Sequence, residues 1–282
     1  MALLRTWGAL GAALVLSGCG ALFYQPTANR YTIPERFDVS WLDHSIPRPG
    51  GGVLQAALIR KKDADGSRGL IIQFHGNAQN LTAHWLSMRW AVQRNWTLLA
   101  WDYSGYGASD GSPDRDQIAR DADAFLSWVS DSILPLRQGP VVLVGQSLGS
   151  AILLDAFPKW KDRGKTTLVV SEGGFARYRD MGFDVATRHW LLYPLYPLAP
   201  LLLSNAHSPD VAIPNIQPTP LLVVSCMQDK AVPPRHQQWI HELAKGSLYW
   251  RVDGCPHISA FRADSIRTRF ANLVDSLALH QP

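Results

Sequence analysis

Short apolar runs, rich in Val, Leu and Ile, alternate with helical patterns along most of this chain. No other feature limits its possible folds as strongly. Six such runs lie at residues 70–74, 97–101, 141–144, 168–170, 221–224 and 248–252. Runs of this length that are apolar at consecutive positions are typical of parallel strands covered by helices on both faces. Strand and helix repeated in this order predict an α/β fold with a mostly parallel, twisted sheet and right-handed crossovers.

Two extended stretches, at residues 36–42 and 53–60, precede these runs and flank a turn rich in Pro and Gly at 47–52. They predict an antiparallel hairpin at the start of the domain. Apolar residues at helical spacing predict helices within 81–92, 118–129 and 261–277. Ser112 and Pro113 precede the second of these and are the predicted N-cap and first-turn proline.

The first residues have the pattern of a secretion signal. Arg5 is followed by an uncharged, largely apolar stretch at 6–16, which is too short to cross a bilayer. Residues 16–19 read Leu-Ser-Gly-Cys and resemble the lipobox of bacterial lipoproteins. We therefore predict a signal peptide at 1–18, acylation of Cys19 and a polar tether at 19–35, so that 36–282 form the α/β domain. The alternative is a plain signal peptide that contains Cys19 by chance.

The charge balance gives no indication of a nucleic-acid partner. The chain has 27 Lys and Arg against 23 Asp and Glu, and its basic residues do not cluster. The membrane is the expected partner instead, because two or three acyl chains on Cys19 would anchor the protein stably. Gly20 stands where an Asp would resemble an inner-membrane retention signal. We therefore expect the bacterial cell envelope, at the periplasmic face of the outer membrane.

Residues 171–219 interrupt the alternation of strands and helices. Within this insertion, the stretch at 190–200 contains Pro194, Pro197 and Pro200, which exclude one continuous helix. An insertion here would overhang the carboxyl ends of the strands, where α/β sheets bind ligands. Three interpretations stay open: a cap that lines an apolar substrate pocket, a short helix pair packed on the sheet, or a surface that contacts the membrane.

A serine flanked by glycines follows the third apolar run. Residues 145–149 read Gly-Gln-Ser-Leu-Gly and lie directly before a helical pattern. A tight turn between strand and helix lifts the Ser147 hydroxyl above the sheet, and the glycines leave room for the crowded backbone. The helix directs its first N–H groups and its positive dipole end towards the same point, where a negative oxygen would be stabilised. Ser147 is therefore a candidate nucleophile; the alternative is a structural serine in a glycine turn.

A serine hydroxyl is a poor nucleophile until a base takes its proton, and His257 is the candidate base. It follows the last predicted strand, and an imidazole both accepts a proton and returns it near neutral pH. Asp229, on the loop after the run at 221–224, is the candidate carboxylate that orients this imidazole. Asp253 is the alternative acid, although its position four residues before His257 favours a role in a turn.

Taken in order, these motifs resemble the α/β-hydrolases. Phe-His-Gly-Asn at 74–77, Asp-Tyr-Ser-Gly-Tyr-Gly at 102–107, the Ser147 turn and the two later loops are similar to the serine aminopeptidase, lysophospholipase-related and depalmitoylase-type branch. The order Ser, Asp, His matches this fold. The resemblance implies a serine hydrolase that forms an acyl-enzyme and uses no cofactor or metal. It also implies that the backbone amides of Asn77 and Leu148 form the oxyanion hole.

Cys226 and Cys255 follow neighbouring predicted strands, three residues before Asp229 and two before His257. With Cys19 acylated, they are the two cysteines left in an oxidising compartment. Two interpretations stay open: a disulfide that joins the acid loop to the base loop, or two small buried thiols.

Hydrolysis of an ester, such as a lipid or another acylated molecule, is the function that these features favour. A serine peptidase or amidase uses the same groups, but it would usually need a group that fixes a charged terminus, and none is evident. A non-catalytic lipoprotein of the same fold is the third possibility. The presence of all three side chains, Ser147, Asp229 and His257, argues against it.

Overall fold

The computed structural model of the protein describes residues 24–32, 34–137, 139–188 and 204–280. The predicted signal peptide, the acylation site Cys19 and the stretch at 190–200 lie outside these ranges and stay predictions. Among the described residues, no helix combines the length and the apolar character that crossing a bilayer requires.

Eight strands form a single sheet in the order β1-β2-β4-β3-β5-β6-β7-β8. The strands are β1 (Val39–Pro47), β2 (Val53–Lys61), β3 (Leu70–Phe74), β4 (Thr97–Trp101), β5 (Val141–Gln146), β6 (Leu168–Glu172), β7 (Leu221–Cys226) and β8 (Leu248–Val252). β2 runs antiparallel to β1 and β4, and all other neighbours pair in parallel. This confirms the predicted fold class: a mostly parallel sheet with an N-terminal antiparallel hairpin.

The first strand differs from its predicted position. It covers Val39–Pro47 rather than 36–42, and Pro47 pairs with Val53 at the end of the hairpin. Pro34–Arg36 instead form a 3-10 turn, and Asp38 has a positive φ of 50°, so the chain becomes extended only after this point.

Helices cover both faces of the sheet. They are α1 (Leu81–His84), α2 (Arg89–Gln93), α3 (Arg115–Trp128), α4 (Leu148–Ala156), α5 (Tyr178–Arg188), α6 (Pro234–Leu243) and α7 (Asp264–Ala278). One buried cluster contains residues of α3, α4 and α6, and the other contains residues of α1, α2 and α7. In the first, the rings of Trp101 and Phe125 stack with their centres 4.3 Å apart.

Two helix predictions need correction. The helix expected within 81–92 is divided, because a 3-10 turn at Trp85–Ser87 separates α1 from α2. The N-cap of α3 is Asp114 rather than Ser112, since its carboxylate accepts a hydrogen bond of 2.8 Å from the Gln117 backbone amide. A carboxylate at this position also interacts favourably with the positive end of the helix dipole.

Candidate active site

The turn between β5 and α4 holds Ser147 in a conformation that few residues adopt. Its φ of 54° and ψ of −119° lie outside the regions that non-glycine residues prefer. The neighbouring glycines make this turn possible: a Cβ atom on Gly149 would overlap the Phe74 carbonyl oxygen, and one on Gly145 would lie 2.5 Å from Ser150 Cα. The Ser147 amide donates to the Glu172 carbonyl oxygen at 2.9 Å, which fixes the turn to the end of β6.

The structure brings Ser147, His257 and Asp229 together at the carboxyl ends of the parallel strands. His257 Nε2 lies 3.0 Å from Ser147 Oγ, and His257 Nδ1 lies 2.6 Å from Asp229 Oδ2. The other carboxylate oxygen of Asp229 accepts hydrogen bonds from the Ala231 and Val232 amides. A hydroxyl bonded to an imidazole that a buried carboxylate orients is the arrangement that activates serine as a nucleophile. Asp253, the alternative acid, is exposed, and the imidazole faces Asp229 instead.

The loops that carry the acid and the base are tied together. Cys226 and Cys255 form a disulfide, with their Cα atoms 4.8 Å apart and both residues buried. The sequence left open a disulfide or two buried thiols, and the structure has the disulfide. Next to the base, Ile258 has a φ of 43°, which is rare for a β-branched residue and marks local strain at this loop.

Asn77 and Leu148, whose amides are the candidate oxyanion donors, line the same cavity as Ser147. Within the described ranges, neither amide donates a hydrogen bond. Leu148 is the first residue of α4, and the first N–H groups of a helix have no partner inside the helix. Two free backbone donors beside a serine hydroxyl are suited to stabilise an oxyanion.

The segment 24–32, which follows the predicted acylation site Cys19, holds the loop that carries Asn77. Asn77 Oδ1 accepts hydrogen bonds from the Gln25 amide (2.9 Å), the Ala78 amide (2.9 Å) and the Tyr106 hydroxyl (2.8 Å). Asn80 Nδ2 donates to the carbonyl oxygens of residues 27 and 29, each at 2.8 Å. The segment 24–32, which the sequence presents only as a polar tether, therefore packs on the candidate oxyanion loop. Tyr24 joins the buried hydrophobic cluster, but the contacts with the oxyanion loop are polar, so no hydrophobic periodicity marks them in the sequence.

His75 and Asp102 form buried polar contacts that hold this loop. His75 is buried, its Nε2 lies 3.2 Å from Asp102 Oδ1, and its Nδ1 lies 2.7 Å from the Gly76 carbonyl oxygen. The same Asp102 oxygen accepts a hydrogen bond of 2.7 Å from the Leu81 amide. Asp102 thus anchors the backbone at the start of α1.

A buried polar network that sequence reasoning missed connects the serine turn to the histidine loop. Glu172 Oε2 accepts from Gln146 Nε2 at 2.7 Å, and its Oε1 accepts from the Ala260 amide at 3.0 Å. Gln146 Oε1 in turn accepts from Gln73 Nε2 at 2.9 Å. Burial raises the pKa of the Glu172 carboxyl, although its hydrogen bonds to Gln146 and Ala260 act in the opposite direction. Gln146 and Glu172 are the last residues of β5 and β6, just after the apolar runs at 141–144 and 168–170, and nothing in the sequence links these two distant positions.

The cavity beside Ser147 has a volume of about 390 Å³. Its lining is mostly apolar and includes the side chains of Phe175, Met181 and Val232. The polar side chains of Gln25, His84, Arg188 and His257 also line it, and Arg188 donates hydrogen bonds to the carbonyl oxygens of Lys230 and Ala231. Met181 belongs to α5 in the predicted insertion, so the described part of that insertion does line this cavity. Such a cavity is suited to an apolar group of a small ligand.

Comparison with known proteins identifies a family, related sequences and a similar fold. Residues 65–219, more than half of the chain, match the family described as serine aminopeptidase, S33. Protein YfhR of Escherichia coli K12, whose function is uncharacterized, is 31% identical over 202 residues, which cover 70% of this chain and 66% of that protein. The α/β hydrolase domain-containing protein WAV2 of Arabidopsis thaliana is 30% identical over 246 residues, or 83% and 78% of the two chains. The esterase Pf2001 of Pyrococcus furiosus matches in fold with a TM-score of 0.69, at 18% identity, over 91% of this chain and 98% of its own.

Proposed function

The chain belongs to the serine aminopeptidase, S33, family of α/β-hydrolases, and on this premise we propose that it is a serine hydrolase that cleaves esters through an acyl-enzyme. One observation carries the proposal. The hydrogen-bonded series Ser147, His257 and Asp229 opens onto an apolar cavity that two free backbone amides also line. A nucleophile, a base and an anion-stabilising pair thus meet at one point.

The proposed reaction has two steps. In the first, Ser147 Oγ bonds to the ester carbonyl carbon while His257 Nε2 takes the hydroxyl proton. The amides of Asn77 and Leu148 donate to the oxygen that becomes negative. The bond from carbon to the alcohol oxygen then breaks, and His257 returns the proton to that oxygen. In the second step, water repeats the sequence on the acyl-enzyme, which releases the acid and restores Ser147.

The lining of the cavity favours an ester over a peptide. An aminopeptidase binds a positively charged amino terminus, which requires a carboxylate close to the nucleophile. Among the described residues that line the apolar cavity there is no Asp or Glu. Instead, Phe175, Met181 and Val185 would bury the acyl part of an ester, and such burial contributes about 0.8 kcal/mol per CH₂ group.

The protein is further proposed to be acylated at Cys19 and held at the periplasmic face of the outer membrane. The lipobox pattern at 16–19 supports this, and so does the disulfide between Cys226 and Cys255, because disulfides persist mainly in oxidising compartments. Growth with a labelled fatty acid should label the wild-type chain and leave Cys19→Ser unlabelled. Equal labelling of the wild type and Cys19→Ser would contradict acylation at Cys19.

The enzymatic proposal is tested with p-nitrophenyl esters of increasing acyl length beside aminoacyl p-nitroanilides. The wild type should hydrolyse the esters with a higher kcat/KM than any anilide, and Ser147→Ala should lower kcat by about 10⁶-fold. Ser265→Ala, at an exposed serine in the first turn of α7, is the matched control and should retain wild-type rates. A preference for anilides would support a peptidase instead. Equal rates for wild type and Ser147→Ala would mean that the fold is not catalytic at this site.

A further inference from the structure

A second cavity, of about 430 Å³, lies beside the first. The two share His84, His257 and Ile258 in their lining, whereas Ser147 and the candidate oxyanion amides line only the first. His257 therefore stands in the wall between an apolar cavity that contains the nucleophile and a second cavity that does not.

The position of His257 determines which half of an ester would enter the second cavity. The imidazole must give its proton to the alcohol oxygen, so that oxygen has to lie within hydrogen-bond distance of His257 Nε2. The acyl half stays bonded to Ser147 and lies in the apolar cavity. The alcohol half then lies beside the imidazole of His257, which also lines the second cavity.

The second cavity is positively charged. Arg89, Arg262 and Arg267 line it, and Glu172 is the only carboxylate among its described lining residues. Both oxygens of Glu172 already accept hydrogen bonds, one of them from Gln146, so this carboxylate is engaged within the protein.

Two of the three arginines have no acidic partner among the described residues. Arg267 pairs with Asp264 at 3.0 Å, but neither Arg89 nor Arg262 forms an ion pair there. Arg89 Nε is buried without a hydrogen-bond partner, and its guanidinium lies 5.1 Å from the centre of the Phe37 ring. This nitrogen is closed to a ligand, and Phe37 lines a neighbouring cavity that Arg89 also borders. The groups available to an anion in the second cavity are therefore the terminal guanidinium nitrogens of Arg89 and Arg262, for which the described residues supply no acceptor.

We infer that the second cavity is an anion-binding subsite for the alcohol half of the substrate. The preferred ester then combines an apolar acyl group with an alcohol that carries a phosphate or a carboxylate. Guanidinium groups bind both anions through paired hydrogen bonds, and the site would hold the anion without reacting with it. This inference rests on the proposed hydrolysis at Ser147, in which only the bond between the carbonyl carbon and the alcohol oxygen breaks.

Three butanoyl esters with the same acyl group test the subsite: those of glycerol, of glycerol 3-phosphate and of glyceric acid. The measured quantity is kcat/KM for each anionic ester divided by kcat/KM for the neutral ester. The wild type should give a ratio of about 10 or more for at least one anion, and the ratio should fall as salt is added. Comparison of the phosphate and carboxylate esters shows which anion the subsite selects.

The double variant Arg89→Gln and Arg262→Gln should lower this ratio by about tenfold or more, to a value near one. The ratio is insensitive to a uniform loss of active protein, so a folding defect alone leaves it unchanged. Arg269→Gln is the matched control. Arg269 lies in α7, as Arg267 does, but its guanidinium stacks on Trp250 of β8 and it does not line the cavity. It should keep the wild-type ratio.

The outcomes separate the two proposals. A wild-type ratio near one, or a high ratio that survives both substitutions, overturns the subsite while ester hydrolysis at Ser147 stands. Absence of hydrolysis for all three esters and for p-nitrophenyl butanoate overturns the proposed function itself, and the subsite with it.

Discussion

Acid should destabilise this protein through His84, a partly buried histidine at the end of α1. Its Nε2 lies 2.9 Å from the Ala78 carbonyl oxygen, and its ring stacks on His75 with 5.0 Å between ring centres. Burial, together with the nearby His75, lowers the pKa of His84 from 6.5 to about 4. The neutral ring, with its proton on Nε2, donates to Ala78 and so helps to hold the candidate oxyanion loop.

The sign of the effect follows from the direction of this shift. Between the two pKa values the unfolded chain binds a proton at His84 and the folded chain does not, so stability falls as the pH falls. With pKa values of 6.5 unfolded and about 4 folded, His84 alone lowers the free energy of unfolding by about 2 kcal/mol between pH 7 and pH 5. At pH 4 the loss reaches about 3 kcal/mol, and it changes little further below that.

Urea unfolding at several pH values measures this contribution. His84→Gln keeps a side-chain donor for Ala78 but does not titrate, so its stability should fall by about 2 kcal/mol less than that of the wild type from pH 7 to pH 5. His280→Gln, at an exposed histidine near the end of the chain, is the control and should follow the wild-type curve. Parallel curves for wild type and His84→Gln would refute the argument that burial keeps this ring neutral.

Three further predictions concern the supports of the site. Asp229→Asn should lower kcat by about 10⁴-fold with the fold retained, because an amide no longer selects the required imidazole tautomer. Ester kinetics and a thermal melt check this, and a loss of kcat below tenfold would contradict the role of Asp229 in orienting His257. Replacement of Cys226 and Cys255 by Ser should lower the free energy of unfolding by about 3.5 kcal/mol, since the disulfide closes a loop between residues 29 apart. Urea unfolding measures this loss, and thiol titration of the unfolded, unreduced protein without Cys19 should find no free thiol. A protein that begins at residue 33 should have a kcat at least about tenfold below one that begins at residue 20, because the contact of Gln25 with the oxyanion loop is lost. Equal kcat values would show that segment 24–32 does not position the loop.

The strands were predictable because their apolar character is local. Residues 70–74, 97–101 and 248–252 form strands at the predicted positions. The carboxyl ends of neighbouring parallel strands meet at one edge of a sheet, so the fold alone predicts that loops after β5, β7 and β8 approach each other. The proximity of Ser147, Asp229 and His257 follows from that topology.

The supports of the site were not predictable, because they depend on contacts between distant segments. Glu172 ends β6 just after the apolar run at 168–170, and only the folded chain shows that its carboxylate holds the Ala260 amide beside the histidine loop. Gln25 holds Asn77 through a polar contact across 52 positions of sequence, which leaves no periodic signal. Arg89 and Arg262 likewise line one cavity although they are far apart in the sequence. Local sequence patterns predict strands and helices, whereas the polar contacts between them are seen only in the folded structure.

Reaction with a fluorophosphonate, followed by intact-mass and peptide mass spectrometry, tests whether Ser147 is an activated nucleophile. Such a reagent bonds to a serine oxygen only where a base activates it and donors stabilise the negative oxygen. We expect one adduct per chain, on the peptide that contains Ser147, and no adduct in Ser147→Ala. An adduct on another residue, or undiminished labelling of Ser147→Ala, would contradict this expectation.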